Sequence, residues 1–542
     1  MRFSKLFRYL LFIAALAIAG SRAHSQANVV ENSSNPIYVD AEKGSDEIAN
    51  AALAGKVSTP LKTIQAAVNL ARTRNEQKIG TTILVKPGTY RESISIGAGS
   101  TAAPLTIQAA TAGTTVISGS DVLTGWSNEG NGIYYHPWDY NFGTCAVPSG
   151  WPSFGTIGRR TEMIFVNGVS LMQVLSESAM KAGTFFIDEA TNQLLVKPPT
   201  GVNLSTATVE AATRPQILNI TGRSNFVLRG VVLEHARSCP NVTGSVITGG
   251  SNILVDNVQI VWNNWGGLLI SGSTNVTVEN SIASYNGGVG FLGNRDVNAL
   301  YSYDKSDYNN WRGAEAGFYN WGMGGTKLMY MRSTTVEYLH AYGNHAQGLW
   351  FDTDNKNITI NTVALSDNTL SSLQIEANEG PILLENSHLC DSGMGVTILN
   401  TEKFTLKDNV FYNNSGTDQK YEAELYLQGR TGGHVIYDWQ TGEYYDLVTK
   451  DTVLTGNTFE DASSGQKLFG TYLTGADWSD FANTLQASDN RWYDPRTASA
   501  FTLPNNKTTT FTGWKSALGT DYASSWAAPS TSPVSACNAA SD

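Results

Sequence analysis

Short apolar runs recur along the middle of the chain at nearly constant intervals. Their central residues are separated by 23, 58, 24, 24, 22 and 48 positions. Intervals near 23 residues, with turn-forming residues between the runs, are typical of the coils of a parallel β-solenoid. The 58-residue interval is interpreted as one coil with a long insertion, and the 48-residue interval as either two coils or one coil with an excursion. The anchors of the repeat are Val255, Val278, Val336, Ile360, Leu384, Leu406 and Leu454.

The residues that precede this repeat show two different patterns. Near the start, Thr59 and Pro60 predict the N-cap and first position of a helix that covers the open end of the stack. Over residues 119–212 the repeat is absent, and short strands between Gly and Asn-Gly turns predict an antiparallel β-sandwich. The sequence thus predicts an all-β solenoid, a parallel β-helix with an inserted antiparallel β-sandwich subdomain. The predicted segments are an N-terminal cap with the first coils (37–118), the inserted sandwich (119–212), the β-helix (213–500) with a loop insertion (294–326), and a C-terminal cap with a loose tail (501–542).

Residues 1–25 have the order of a secretory signal peptide. Arg2, Lys5 and Arg8 precede a short apolar stretch, which is followed by small residues suited to cleavage. No other apolar run reaches the about 20 residues that span a bilayer. We therefore expect a secreted or periplasmic protein with no membrane attachment after signal removal.

Charge and cysteine content narrow the class of partner. The formal net charge of −11 disfavours binding to nucleic acid or anionic lipid.

The cysteines form no CxxC pair that would indicate a zinc or redox site, and an exported chain can join them in three pairings. They are Cys145, Cys239, Cys390 and Cys537.

Two carboxylic residues occupy the same place in consecutive repeats. Asp352 ends the run Gly348–Asp352 and Glu376 ends the run Leu373–Glu376, each six residues before the next apolar triplet. Equivalent positions in neighbouring coils stack at the inter-strand spacing of about 4.8 Å. Carboxyl groups about 5 Å apart match the two catalytic groups of a retaining glycosidase. Acidic residues in solenoid turns are more often merely solvated, so the shared register is what favours catalysis.

The residues around this pair supply candidate sugar-binding groups. Asn294 is assigned to the position of Asp352 one coil earlier, where the predicted insertion begins. Long insertions in repeat folds tend to build binding faces, and aromatic rings offer flat apolar surfaces to sugars, although such rings also form self-packed loop cores. Lys327 is suited to contact a substrate hydroxyl or Asp352, or to form a plain salt bridge. The predicted substrate-binding residues are Trp262, Trp265, Asn294, Trp311, Trp321, Lys327, Trp350, Asp354 and Glu379.

Alternative functions remain open at this point. Strand alternation would place Asp352 and Asp354 on one face, where they could bind calcium. A calcium-dependent polysaccharide lyase would use this pair with Lys327 or Arg312 as the base. No spacing matches a calcium loop, however, so no metal site is predicted. A third possibility is a non-catalytic glycan-binding surface protein.

Several stretches resemble known families. Residues 37–40, 59–67 and 86–90 are similar to the opening of pectate-lyase-like right-handed parallel β-helix proteins, and residues 160–188 resemble the inserted sandwich of β-helix glycosidases. Residues 324–327, 348–352 and 375–381 resemble glycoside hydrolase family 120, the β-xylosidases, and the related family 141. The resemblance spans most of residues 37–525.

This resemblance implies a right-handed helix and retaining hydrolysis of plant-type or bacterial glycans, with an oligosaccharide or polysaccharide as substrate and no cofactor. The family nucleophile falls on Asp352 and the family acid/base on Glu376. Thr353 stands where an aromatic residue commonly follows the nucleophile, and Glu379 stands where a histidine is expected. Both departures lie beside the site, so they leave the accepted sugar unspecified.

Overall fold

The computed structural model describes residues 36–48, 53–98, 103–414, 423–461, 466–494 and 500–527. The predicted signal peptide and the end of the predicted tail lie outside these residues. None of the helices among them is long and apolar enough to cross a membrane. The first sheet of the fold has thirteen parallel strands. In spatial order they are Ile37–Val39, Thr81–Val85, Leu105–Ala109, Phe226–Arg229, Ser251–Asp256, Thr274–Glu279, Val297–Ser302, Arg332–Glu337, Lys356–Asn361, Ile382–Glu385, Phe404–Lys407, Val453–Thr455 and Gln486–Ser488.

The second sheet also has thirteen strands, all parallel except the last pair. In spatial order they are Ile94–Ile96, Leu218–Thr221, Thr243–Thr248, Gly266–Ser271, Val289–Asn294, Gly324–Met329, Leu349–Asp352, Ser371–Glu376, Met394–Leu399, Leu425–Gln428, Phe469–Thr471, Phe501–Leu503 and Lys507–Thr509.

The third sheet has two parts, which are bridged through Lys305. The first part contains Gly88–Tyr90, Thr115–Ser118, Val231–Glu234, Gln259–Val261 and Ile282–Ser284, and the second contains His340–Tyr342, Ala364–Ser366, His388–Cys390, Val410–Tyr412, Thr458–Glu460, Arg491–Tyr493 and Ser525–Ala527. Each coil of the chain therefore visits three sheets in turn, which confirms the predicted parallel β-helix.

Alternation along the strands directs one row of side chains into a common core. Val255 and Val278 are register partners, and both are fully buried. At the corner between the third and second sheets, amide side chains bond from coil to coil: each Nδ2 donates to the next Oδ1 at 2.9 to 3.1 Å. This ladder satisfies buried polar groups and fixes the register of the coils. Its members are Asn263, Asn286, Asn309, Asn344 and Asn368.

The structure corrects one interval of the repeat and resolves another. Val278, Tyr301 and Val336 are partners in three consecutive coils, so the 58-residue interval contains two coils. The predicted loop 294–326 is therefore too long, because its first part forms the strand Val297–Ser302, and coil-to-coil bonds continue to Asn310, after which the excursion begins. A buried tyrosine in place of a branched aliphatic residue hid this strand. Leu406 and Leu454 are direct partners, so the 48-residue interval is one coil with an excursion.

The inserted subdomain packs two mainly antiparallel sheets around its own apolar core. The disulfide Cys145–Cys239 ties it to the coil corner before Thr243–Thr248. The four-stranded sheet contains Val169–Ser170, Ile164–Val166, Val209–Ala212 and Ser120–Leu123, and the five-stranded sheet contains Met172–Gln173, Thr184–Asp188, Gln193–Lys197, Ile133–Pro137 and Ser127–Gly130.

The α-helices lie at the two ends of the core and in the excursion that precedes the strand Gly324–Met329. The first helix begins at Ile64 with Thr63 as its N-cap, four residues after the predicted cap Thr59, because the carboxylate of Glu92 also accepts from its first N–H groups. Its apolar face packs into the main core. The α-helices are Ile64–Glu76, Trp311–Glu315, Gly475–Thr484 and Phe511–Leu518, and the 3-10 helices are Thr156–Arg159, Glu177–Ala179 and Pro504–Asn506.

Candidate active site

The outer face of the second sheet carries two adjacent rows of side chains. Leu328, Phe351 and Ile375 point into the core, so the residues on either side of each point outward. Asp352 and Glu376 are direct register partners, at the inter-strand spacing of about 4.8 Å. The row that contains them runs Met329, Asp352, Glu376 and Leu399, and the row two residues earlier runs Lys327, Trp350, Gln374 and Thr397.

Asp352 is held on both carboxylate oxygens. The ammonium of Lys327 lies 2.7 Å from Oδ2, and the hydroxyl of Thr353 donates to Oδ1 at 2.8 Å. Lys327 is itself buried, and its Nζ lies 3.4 Å from the ring centroid of Trp350. The same Nζ donates to the main-chain oxygen of Trp321. These contacts leave the Asp352 carboxylate one-fifth exposed and fixed in direction on the outer face.

Glu376 lies in a different electrostatic environment. Burial and, next, the negative charge of Asp352 raise its pKa to about 7, against the smaller opposing effects of Lys327 and Gln374. Gln374 donates from Nε2 to Glu376 Oε2 at 2.9 Å, and it accepts from Gln347 Nε2 at 2.8 Å. A carboxyl group with a pKa near 7 can donate a proton and later recover one at neutral pH.

An aromatic cluster flanks one side of this face. Trp321 is 45% exposed, and its main-chain oxygen contacts Lys327. Trp151 of the inserted subdomain lies 6.5 Å from Trp321 and 5.6 Å from Phe318, measured between ring centroids. The excursion and the inserted subdomain therefore present an aromatic surface at the end of the sheet from which these strands start.

A hairpin flanks the opposite side. Its strands are His434–Tyr437 and Tyr444–Leu447, and its buried Ile436 and Leu447 pack on Ala377, the residue after Glu376. His434 is the register partner of Leu447, so it shares the face that turns toward the β-helix. Burial and the charge of Arg430 lower the pKa of His434, whereas the charge of Asp352 raises it.

The structure separates several predicted sugar-binding residues from the carboxylate pair. Asn294 lies two coils before Asp352, because the coil of Met329 intervenes, and the assignment to the preceding coil is wrong. Trp265 is 1% exposed and packs against Phe154, so it cannot offer a ring to a glycan.

Trp262 and Trp311 form a second aromatic group with Tyr285. The rings of Trp262 and Tyr285 stack at 5.0 Å, and the indole of Trp311 donates to the Tyr285 carbonyl.

Trp350 remains beside the carboxylate pair, but its ring lies under Lys327 and is 5% exposed. Its indole Nε1 has no hydrogen-bond partner among the described residues.

Asp354 does not share the face of Asp352, which corrects the prediction from strand alternation. The strand ends at Asp352, and Thr353 and Asp354 take left-handed φ values of 43° and 56°. This turn buries Asp354 completely and directs it to Arg332, at 2.8 Å.

Glu379 belongs to the same ion-pair cluster. Asp354, Glu379 and Asp438 have carboxylate oxygens within 4.8 Å of one another, a grouping that could hold a metal ion. Arg332 bonds to Asp354 and Asp438, while Lys356 bonds to Glu379 and Asp438. Two cations thus already neutralise most of the charge, and the cluster anchors the hairpin to the coils.

Sequence reasoning missed the groups that surround Glu376. Gln374 and Gln347 precede the two catalytic candidates by two and five residues, so a search of the outward row could have found Gln374. Arg430 and His434 belong to the excursion within the 48-residue interval. That interval was compatible with either two coils or one coil with an excursion, and nothing in it indicated where the hairpin would fold.

The central part of the chain matches a known sequence family. Residues 218–417 match the family described as "Right handed beta helix region". Together with the three sheets of the coil, this match shows that the chain has the fold of a right-handed parallel β-helix. No curated protein matches it in sequence.

Solved structures share the fold over most of the chain. XylC, solved in complex with xylose, has a TM-score of 0.67 and 14% identity, covering 88% of this chain and 85% of XylC. A structure described as a glycoside hydrolase has a TM-score of 0.51 and 11% identity, covering 73% and 94%. At these identities the similarity shows a common fold.

Proposed function

We propose that this protein is an exported retaining glycoside hydrolase that cleaves plant-type or bacterial glycans. The observation that carries the proposal is the pairing of Asp352 with Glu376 on an outward face, in unequal environments. Asp352 is fixed by Lys327, whereas the pKa of Glu376 is raised to about 7. Retaining enzymes need one ionised carboxylate and one carboxylic acid about 5 Å apart.

In this proposal Asp352 attacks the anomeric carbon and forms a glycosyl ester. Glu376 donates its proton to the departing glycosidic oxygen in the same step. Once the leaving group has gone, the Glu376 carboxylate takes a proton from water, and that water opens the ester. Lys327 fixes the direction of the nucleophile, and Trp321, whose main-chain oxygen accepts from Lys327, offers an exposed ring.

The fold supports a saccharide substrate. XylC, the solved structure with a TM-score of 0.67, contains xylose. The motifs at 348–352 and 375–381 resemble those of β-xylosidases, so a β-xylosidase-like activity is the first to test. The basic, then apolar, start of the sequence supports export to the periplasm or medium.

The polysaccharide lyase alternative has less support. Arg312 is 1% exposed, and its guanidinium donates to Asn264, Gln173 and the carbonyl of Glu162. Lys327 is committed to Asp352. Neither cation is placed as a free base, and Asp354 is turned away from Asp352.

The test is hydrolysis of aryl xyloside, arabinofuranoside, fucoside and galactoside by wild type, Asp352→Asn and Glu376→Gln. Glu385→Gln is the matched control, because Glu385 lies on the first sheet in an ion pair with Lys407. We expect one substrate to be cleaved, both site variants to lose activity by at least about 100-fold, and azide to rescue the activity of Glu376→Gln. Near-normal activity of both variants would refute the assignment. Inactivity of the wild type on aryl glycosides and natural glycans would favour a non-catalytic binding protein.

A further inference from the structure

A chain of two side-chain amides ends on the carboxyl group of Glu376. Gln347 Nε2 donates to Gln374 Oε1 at 2.8 Å, and Gln374 Nε2 donates to Glu376 Oε2 at 2.9 Å. Gln347 is 1% exposed, and its Oε1 has no partner among the described residues. A buried amide that leaves its own oxygen unpaired is costly, so its orientation calls for an explanation other than stability.

The donor-to-acceptor direction of these two amide hydrogen bonds determines where the proton of Glu376 can reside. Oε2 accepts a hydrogen bond from Gln374. In the neutral acid one oxygen carries the proton and the other is the acceptor. Because Oε2 is occupied as an acceptor, the proton lies on Oε1.

The orientation of the Gln374 amide depends on Gln347. An amide has nearly the same shape after rotation by 180°, and only its partners distinguish the two orientations. Gln347 donates to Gln374 Oε1 and so keeps the Gln374 nitrogen toward Glu376. In the reverse orientation, the Gln374 oxygen would accept the Glu376 proton and hold it away from a glycosidic oxygen.

We propose that Gln374 and Gln347 are positioning residues that keep the Glu376 proton on Oε1, where it can reach the glycosidic oxygen. This inference rests on the proposed hydrolase function. It adds that Gln374, on the same strand as Glu376, and Gln347, in the preceding coil, together orient the carboxyl group of Glu376 for proton donation.

The experiment compares Gln374→Met and Gln347→Met with wild type on two aryl glycosides of the sugar that wild type cleaves. One has a dinitrophenyl leaving group, which departs without a proton, and the other has an unactivated phenyl group. Ser371→Ala is the control, because Ser371 lies on the same strand, is buried, and bonds to Thr397 instead of Glu376.

We expect Gln374→Met to lower kcat/KM for the phenyl glycoside at least about 10-fold more than for the dinitrophenyl glycoside. The basic limb of its pH profile should move up by about one pH unit, because a hydrogen bond to the charged form is lost. Gln347→Met should change both readouts in the same direction by less, and Ser371→Ala should change neither.

Equal losses on both substrates, with an unmoved basic limb, would overturn the inference even if the hydrolase function stands. Wild-type inactivity, or full activity of Glu376→Gln, would instead refute the proposed function itself. Thermal melting checks folding. If Gln374→Met does not fold, Gln347→Met decides, because its side chain touches neither carboxylate.

Discussion

Replacing Glu376 by Gln should stabilise the protein at high pH while abolishing its proposed activity. The unfolded carboxyl group has a pKa of 4.5, and burial beside Asp352 raises the folded value to about 7. Between these values the unfolded chain releases a proton that the folded chain retains, so this site lowers the stability of wild type as pH rises. Above pH 7 the loss is complete, whereas the neutral amide of the Glu376→Gln variant carries none of it.

The two pKa values set the size of this effect. A tenfold change in proton affinity corresponds to about 1.4 kcal/mol, so the interval from 4.5 to about 7 corresponds to about 3 kcal/mol. Glu376 retains some contact with solvent, which reduces the expected gain to about 2 to 3 kcal/mol. The gain should be near zero at pH 4, where both states of the wild type are protonated.

Denaturant unfolding of wild type and Glu376→Gln at pH 4, 6 and 8 measures this gain. The same comparison in an Asp352→Asn background is the control, because removal of the neighbouring charge should shrink the gain. A stability difference that does not change between pH 4 and pH 8 would refute the electrostatic account of the site. A variant that is destabilised more at pH 8 than at pH 4 would reverse its sign.

Three further perturbations test the surroundings of the site. Lys327→Met removes the buried partner of Asp352. We expect denaturant unfolding to show a loss of about 2 to 3 kcal/mol in the free energy of unfolding, which is below the full cost of a broken buried pair because Asp352 is partly exposed. The aryl glycoside assay should show that most hydrolysis is lost. Ile436→Ala removes a hairpin residue that is 3% exposed and packs on Ala377; hydrogen exchange should become faster across 434–447, with about 2 kcal/mol of local protection lost, and unchanged exchange would contradict the docking. Cys145→Ser opens a disulfide of 94-residue separation; calorimetry should show a loss of about 2 to 4 kcal/mol, and an unchanged melting temperature would contradict the role of the bond.

The sequence was sufficient for the coil and for the carboxylate pair, because both depend on a period that every coil repeats. A residue and its counterpart 24 positions later must stack if both coils have the same length. The same rule misplaced Asn294, since the coil that contains Tyr301 was taken for part of a loop. Counting coils from Tyr301 instead restores the observed register.

The surroundings of the pair depend on contacts that no local pattern encodes. Trp265 is buried because Phe154 of a distant insertion covers it. Asp354 turns away because left-handed backbone at Thr353 and Asp354 ends the strand two positions earlier than alternation assumes. His434 reaches the site only because its hairpin docks on Ala377, nearly 60 positions earlier in the chain. Each of these outcomes depends on tertiary packing.

Trapping of the glycosyl ester tests the central claim most directly. A 2-deoxy-2-fluoro glycoside of the accepted sugar, with a dinitrophenyl leaving group, should inactivate the enzyme by forming an ester that hydrolyses slowly. Peptide mass spectrometry should place the label on Asp352, and Asp352→Asn should take up none. A label on another residue, or turnover with inversion at the anomeric carbon and no label, would contradict the account.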